Sequence, residues 1–284
     1  MTNSGNKQEA QIAYWNSAGG DRWAAAAEHT DRMLEPIQHA LLARANLQPG
    51  MAVLDIGCGC GATTVEIAKS VGNSGRVLAV DVSQQMLAIA KDRLSGFPQA
   101  ETLEADAAAY PFEQFADLVL SRFGVMFFGD PAAAFANIRK AIKPGGRLLF
   151  ACWRTPEENE WMRVPLEAVL SAGVPPAPPM GPEEPGPFSF ADPERVKRIL
   201  TAAGFASLTI SPASFALDLA AGGGLETAVQ QAMTIGAAAA LLRKQPESSV
   251  DSARGSIEKA LRLHERGGTV SLAAEIWLVE ALPG

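Results

Sequence analysis

Short apolar runs alternate along this chain with segments whose apolar positions recur every three or four residues. In 31–46, Leu34, Ile37, Leu41, Leu42 and Ala45 share one stripe, after Asp31 and with Pro36 in the first turns, which predicts an amphipathic helix. The run 51–56 is apolar except for Asp55, leads into a glycine-rich turn, and is followed by helical spacing over 63–70. The same alternation predicts strands at 76–80, 101–105 and 116–121, a helix at 83–94 capped by Ser83, and a helix at 131–142 stopped by Pro144-Gly145-Gly146. A strongly apolar strand at 147–153 follows. Strands separated by helices imply a parallel sheet covered on both faces.

Beyond 156 the composition shifts. Prolines at 175, 176, 178, 179, 182, 185 and 187 rule out regular sheet, and the stretch reads as a mobile connection after a short helix. Regular structure resumes with a helix over 192–203, N-capped by Asp192, with Pro193 in its first turn and Gly204 at its end. A strand at 205–214, alanine-rich helices at about 225–243 and 248–266, and a last strand at 269–280 complete the pattern, and no internal repeat is visible. The chain thus divides into a helical amino-terminal cover, 1–50, and an α/β domain, 51–284, which carries a proline-rich connection at 174–187 and a helical insertion at about 215–268.

A chain of 284 residues, 48% hydrophobic and 19% charged, has the globular mixture and can bury a full core. Its net charge of −7, without a Lys/Arg-rich run, argues against nucleic acid and anionic membrane as partners. The first ten residues are polar, and the apolar stretch 227–242 is interrupted by Gln230, Gln231 and Gly236 and is too short to span a bilayer, so a cytoplasmic location is expected. The three cysteines, Cys58, Cys60 and Cys152, form no disulfide framework, since a bridge between Cys58 and Cys60 would be badly strained.

Candidate chemistry concentrates in Val53-Leu54-Asp55-Ile56-Gly57-Cys58-Gly59-Cys60-Gly61, between strand and helix. Glycines let the chain turn sharply and bring a ligand against bare backbone, with helix amides facing the same cleft. Gly57-x-Gly59-x-x-Ala62 also satisfies a relaxed dinucleotide pattern, so the loop alone is ambiguous. The acids around it discriminate. Asp55, just before the loop, would repel a pyrophosphate but favour a ligand bearing an ammonium and a sulfonium, as S-adenosylmethionine does. Asp81, at the end of the second strand, suits two ribose hydroxyls, and Asp106 after the third suits an adenine amino group, with a neighbouring backbone amide donating to a ring nitrogen.

With VLDIGCGCG, AVDVS followed by Gln84, Gln85 and Met86, EADA, DLVLSRFGVMFF and KPGGRLLF, the segment 53–153 resembles the class I S-adenosylmethionine-dependent methyltransferases. The flanks are loosely similar to broad bacterial small-molecule enzymes grouped with the quinone C-methyltransferases. The resemblance implies a Rossmann-like, seven-stranded, mostly parallel sheet in the order 3-2-1-4-5-7-6 with strand 7 antiparallel. It also implies S-adenosylmethionine as cofactor, held by Asp55, Gly57, Gly59, Gly61, Asp81, Val82, Met86, Asp106, Ala107 and Ser121, with Trp15 as a covering residue. Methyl transfer to a small organic acceptor is the implied reaction, the resemblance giving cofactor and chemistry but not the substrate, and Asp81→Ala is expected to abolish cofactor binding with little loss of folding.

Methyl transfer is an in-line displacement that needs alignment and exclusion of water more than a dedicated base. The weak catalytic candidates are His29, in the amino-terminal segment, and Arg122, which suits either a substrate anion or the cofactor carboxylate. His39 and His264 read as ordinary helix residues. Arg122, Phe123 and Trp153 at strand ends are candidates for the acceptor side, and Trp15 and Trp23 for a lid, against the plainer role of packing. Two thiols in a turn cannot complete a tetrahedral metal site, so no metal is implied. Leu217, Leu219, Leu225, Val229, Met233 and Ile235 point to a hydrophobic or aromatic acceptor, with ordinary core or a homodimer contact as the alternatives. The rival readings are a nicotinamide or flavin oxidoreductase, which leaves Asp55 and Asp106 without work, and a non-catalytic binding protein on the same fold.

Overall fold

The computed structural model describes residues 3–181 and 183–284, with side chains from Gly5 onward; Met1, Thr2 and Pro182, the last being one of the prolines of the 174–187 connection, lie outside the described residues. Three helices open the chain: α1 (Asn3–Trp15), α2 (Ala18–Ala25) and α3 (Ala27–Ala45). The α/β alternation follows as β1 (Ala52–Ile56), α4 (Ala62–Val71), β2 (Arg76–Asp81), α5 (Gln84–Arg93), β3 (Ala100–Glu104), β4 (Ala116–Arg122), α6 (Pro131–Ile138) and β5 (Ile142–Trp153). Then come α7 (Glu160–Ser171), α8 (Pro193–Ala202), β6 (Phe205–Asp218), α9 (Gly224–Thr234), α10 (Gly236–Leu242), α11 (Glu247–Arg262), β7 (Glu265–Arg266) and β8 (Thr269–Pro283).

The sheet runs β3-β2-β1-β4-β5-β8-β6, with the two-residue β7 paired to β8 off this path. β8 is antiparallel to β5, β6 and β7, and the other pairs are parallel. With β8 as the seventh strand of the path, this is the order the resemblance implies. Every residue of β1, and 148–153 of β5, is buried, as expected of strands covered on both faces. The parallel strands β1 and β2 end together beside the glycine loop, and the order reverses between β1 and β4, so the sheet opens a crevice there.

Several predicted boundaries move, each for a local reason. The helix expected from Asp31 begins at Ala27, so Pro36 lies in its interior, not its first turns, and forfeits the backbone bond to the Arg32 carbonyl. The helix expected over 131–142 ends at Ile138 and continues as a single 3₁₀ turn, Arg139–Ala141. Pro144-Gly145-Gly146 does not stop a helix but forms a bulge in β5: Ala116 pairs with Ile142 and Leu118 with Arg147, so 143–146 loop out opposite Asp117. The 225–243 helix is split at Ile235, which is extended, and Gly236, whose φ is +91°. The 248–266 helix ends at Arg262, because Glu265 and Arg266 form a hairpin with β8 through Gly267 and Gly268, both at positive φ. Ser83 holds the N-cap position of α5, yet its side chain makes no capping bond. The cap comes from Asn16, whose Oδ1 accepts from the Gln84 amide at 3.1 Å while its Nδ2 donates to the Val82 carbonyl at 2.7 Å.

Asp192 does cap α8, accepting from the Glu194 amide at 2.9 Å, and Gly204 ends it at φ +87°. The far end of the proline-rich connection is pinned to the body, since Ser189 Oγ donates to the Met126 carbonyl at 2.6 Å and Phe190 is fully buried. Among the described residues, no helix is long and apolar enough to cross a membrane.

Candidate functional site

The glycine loop turns from β1 into α4 with Gly57, Gly59 and Gly61 all at positive φ, a conformation that costs other residues about 1–2 kcal/mol each. The loop is stitched to β2: the amides of Gly57 and Cys58 both donate to the Val80 carbonyl, at 2.8 and 3.1 Å. It also packs on β4, where Ser121 Oγ donates to the Ile56 carbonyl at 2.7 Å and accepts from the Gly124 amide at 3.2 Å. Gly61 is packed on α5, since a Cβ there would lie 3.0 Å from that of Ala90.

Asp81 is buried at the tip of β2 and anchored by two backbone donors, Gly59 N–H to Oδ2 at 2.8 Å and Ser83 N–H to Oδ1 at 2.9 Å. A carboxylate offers about four acceptor positions, so two bonds leave it able to take ligand hydroxyls. Burial raises its pKa, and the backbone amides of Ser83, Gly59 and Val82 oppose that shift. Asp55 sits deeper, 1% exposed, accepting from Thr64 Oγ1 at 2.7 Å. Burial pushes its carboxyl up to about 6, against the pull of Thr64 and the Arg122 guanidinium. Asp55 therefore lies beneath the loop and acts on the site through Thr64 and Arg122.

Arg122 ends β4 with most of its side chain buried, 3.7 Å from Asp31 of α3, and its Nη1 has no hydrogen-bond partner among the described residues. Asp31 in turn is bonded at 2.7 Å to Arg93, which also donates to the Cys60 carbonyl at 3.0 Å. The helical segment is thereby tied electrostatically to the glycine loop. Asp106 is half-buried; its Oδ1 accepts from the Ala108 amide and from Gln8 Nε2 of α1, both at 2.9 Å. Gln8 also accepts from the Gly129 amide at 2.8 Å, so α1 bridges the tip of β3 and the turn before α6.

Other predicted residues fall into three groups. Val82, Met86, Ala107 and Ser121 line the same strand tips, with Met86 Sδ 3.9 Å from where a Gly59 Cβ would stand. Trp15 is half-buried and packs edge-on against Phe127 at 5.1 Å and Trp23 at 6.3 Å, whereas Phe123, at φ +67°, stacks on Trp153 at 4.0 Å with planes 7° apart. His29 is drawn elsewhere: its Nε2 lies 3.0 Å from the Leu219 carbonyl, burial lowers its pKa, and it lines a cavity of about 490 Å³ shared with Glu28, Arg32 and 220–223, without a glycine-loop residue. His39 is exposed beside Glu35, and His264 lies past the end of α11. Cys58 and Cys60 are thiols held protonated by burial, Cys60 at about 11, and among the described residues no cluster of three or more metal-ligating side chains occurs.

Gln8, Asn16, Asp31, Thr64 and Arg93 surround this loop and were not singled out as part of the site from the sequence. Only Thr64 carried a signal, a hydroxyl one turn into the helix after the glycine loop. The donor set fits a ligand with ribose hydroxyls, a positive centre and a carboxylate: buried acids near the loop, and one buried guanidinium nitrogen in want of an acceptor.

A family model described as a methyltransferase domain matches residues 53–146. A ubiquinone/menaquinone biosynthesis C-methyltransferase of Burkholderia cenocepacia is 38% identical over 111 residues, 38% of this chain and 45% of that protein. An uncharacterized 37.1 kDa protein of a Streptomyces fradiae transposon is 37% identical over 103 residues, 36% of this chain and 30% of that one. The chain thus matches less than half the length of these relatives. Among solved structures, the YcgJ protein of Bacillus subtilis superposes with a TM-score of 0.55 at 16% identity, covering 87% of this chain and 97% of that one. The phosphoethanolamine N-methyltransferase 2 of Haemonchus contortus, solved with S-adenosyl-L-methionine, gives 0.53 at 18% identity, covering 88% and 53%.

Proposed function

We propose that this chain, which belongs to the class I S-adenosylmethionine-dependent methyltransferases through its segment 53–146, transfers a methyl group in line to a small hydrophobic or aromatic acceptor. One observation carries the reading. The glycine loop is flanked by the anchored, buried carboxylate of Asp81 and by Arg122, whose Nη1 is buried without a partner among the described residues. The first suits two ribose hydroxyls; the second suits a carboxylate.

When bound, S-adenosylmethionine supplies a methyl carbon activated by its sulfonium leaving group. In this reading Asp81 orients the ribose, Arg122 pairs with the carboxylate, and Asp55 beneath the loop offsets positive charge at the methionine end. Gly57, Gly59 and Gly61 admit the tail against bare backbone, and Val82, Met86, Ala107 and Ser121 border the nucleoside. Asp106 accepts from the adenine amino group with the oxygen Gln8 leaves free, and α1 with Trp15 covers the cleft. Phe123 and Trp153 present a flat apolar wall to the acceptor. Alignment and exclusion of water supply most of the acceleration such a displacement needs. The name of the Burkholderia relatives, C-methyltransferases of ubiquinone and menaquinone biosynthesis, supports an aromatic acceptor.

Titration calorimetry with S-adenosylhomocysteine and with NADH tests the reading. Binding of the former at micromolar affinity is expected; binding of NADH alone would overturn it in favour of an oxidoreductase.

A further inference from the structure

Trp161 of α7 and Gln231 of α9 are each more than nine-tenths buried, and neither Trp161 Nε1 nor Gln231 Nε2 has a hydrogen-bond partner among the described residues. A buried donor left unmade costs about 1–3 kcal/mol, so two such donors in one place call for an occupant. Both line the same narrow slot between α7 and the α9–α10 break, together with Met162, Pro165, Leu219 and Ile235. The slot is narrow, with a volume of only about 10 Å³ open to a water-sized atom. Its otherwise apolar walls and two unpartnered N–H groups suit an oxygen acceptor.

Three rings connect this slot to the glycine loop. Trp161 lies 5.0 Å from Trp153, and Trp153 stacks on Phe123, the neighbour of Gly124, which abuts Gly57. These rings run from the slot to the strand tips, and Trp153 and Trp161 are themselves buried. The opposite wall is interrupted at Gly236, where φ is +91° and a side chain would meet nothing within 4 Å.

We propose that this slot binds a carbonyl or phenolic oxygen carried on a flat aromatic acceptor, with Trp161 and Gln231 as the specificity-determining donors. The oxygen so held is not the methylated atom, since Trp153 and Phe123 stand between it and the glycine loop. The assignment rests on the methyltransferase reading for the word acceptor; the ligand preference itself does not.

The test compares 1-acetonaphthone with 1-ethylnaphthalene, which has the same shape without the oxygen, on full-length protein saturated with S-adenosylhomocysteine. The expected result is at least about tenfold tighter binding of the ketone, with a downfield shift of one indole N–H resonance that is missing in Trp161→Phe. Trp161→Phe keeps the ring and Gln231→Met keeps the length; each should bring the two affinities to within about threefold of one another while leaving S-adenosylhomocysteine affinity unchanged. Equal affinities in the unaltered protein, or a preference that survives both substitutions, would overturn the proposal and leave the slot to a structural water. Failure of S-adenosylhomocysteine to bind would instead count against the methyltransferase reading, with the ketone preference still measurable on the cofactor-free protein.

Discussion

A side-chain carbon on Gly57 would stand 2.7 Å from the Cα of Gly124, and one on Gly124 would stand 2.8 Å from the Cα of Gly57. The turn after β1 and the turn after β4 therefore meet backbone to backbone, and the cleft floor exists because neither residue has a side chain. Gly124→Ala should cost about 1–3 kcal/mol through overpacking. Gly57→Ala should cost about 1–2 kcal/mol more, because its φ of +68° is strained for any other residue. Gly59→Ala is the control: its Cβ would come no nearer than 3.9 Å to Met86 Sδ, so backbone strain alone is expected. Urea unfolding and calorimetry with S-adenosylhomocysteine check the ranking, Gly57 worst and Gly59 mildest; equal losses at all three would remove packing as the cause.

Asp81→Ala does more than remove a contact to a ligand. It leaves the amides of Gly59 and Ser83, which now donate to the two carboxylate oxygens, without acceptors. The sequence alone suggested a variant that folds almost normally; the structure instead predicts a loss of about 1–3 kcal/mol alongside the loss of cofactor affinity. Thermal unfolding separates the two effects. Retained S-adenosylhomocysteine affinity in this variant would contradict the ribose assignment.

What was legible in the sequence is what leaves a local pattern. The short apolar runs within β1, β2, β4 and β5 reveal a doubly covered sheet, and an acid at or near the end of such a run, Asp55 or Asp81, stands out because burial there is expensive. Pro144-Gly145-Gly146 misled, because the residues that end a helix also permit a bulge. The contacts of the helical cover were invisible: Gln8 reaches Asp106 across 98 residues and Asn16 reaches Gln84 across 68, each by single hydrogen bonds that impose no periodicity. The pairing of Asp31 with Arg122 and the shared slot of Trp161 and Gln231 arise likewise only when distant elements are packed together.

Asp55 confers a pH dependence with a definite sign. Its carboxyl, raised to about 6 by burial, holds a proton more tightly in the folded protein than in the unfolded chain, where it titrates near about 4. Between these values the native state binds more protons, so this residue's contribution is fully present below about pH 4 and is lost as pH rises through 6. Asp55→Asn removes the penalty: relative to the parent protein, its stability should improve by about 2–3 kcal/mol between pH 4 and pH 7. Parallel stability curves for the two proteins across that range would show that Arg122 and Thr64 compensate the buried charge fully.

The helical cover is held by residues that touch both the body and the proposed cleft, which makes its role separable by substitution. Asn16 caps α5 from outside, and α2 packs so closely on the same helix end that a Cβ on Gly20 would lie 2.6 Å from Ser83 Oγ. Asn16→Ala should therefore cost about 1 kcal/mol, the usual worth of an N-cap, although the residue is distant in sequence from the helix it caps. Gln8 differs, because its partners, Asp106 past the tip of β3 and the Gly129 amide just before the Asp130 cap of α6, leave no helix without its N-cap when it is removed. Gln8→Ala should change global stability by no more than about 0.5 kcal/mol. It should still speed limited proteolysis within the first helix and raise both association and dissociation rates of S-adenosylhomocysteine in stopped-flow measurements. If proteolysis and both rates stay at parental values, the hold on α1 rests instead on the Lys7–Glu184 ion pair at 2.9 Å and on the packing of Trp15 against Phe127.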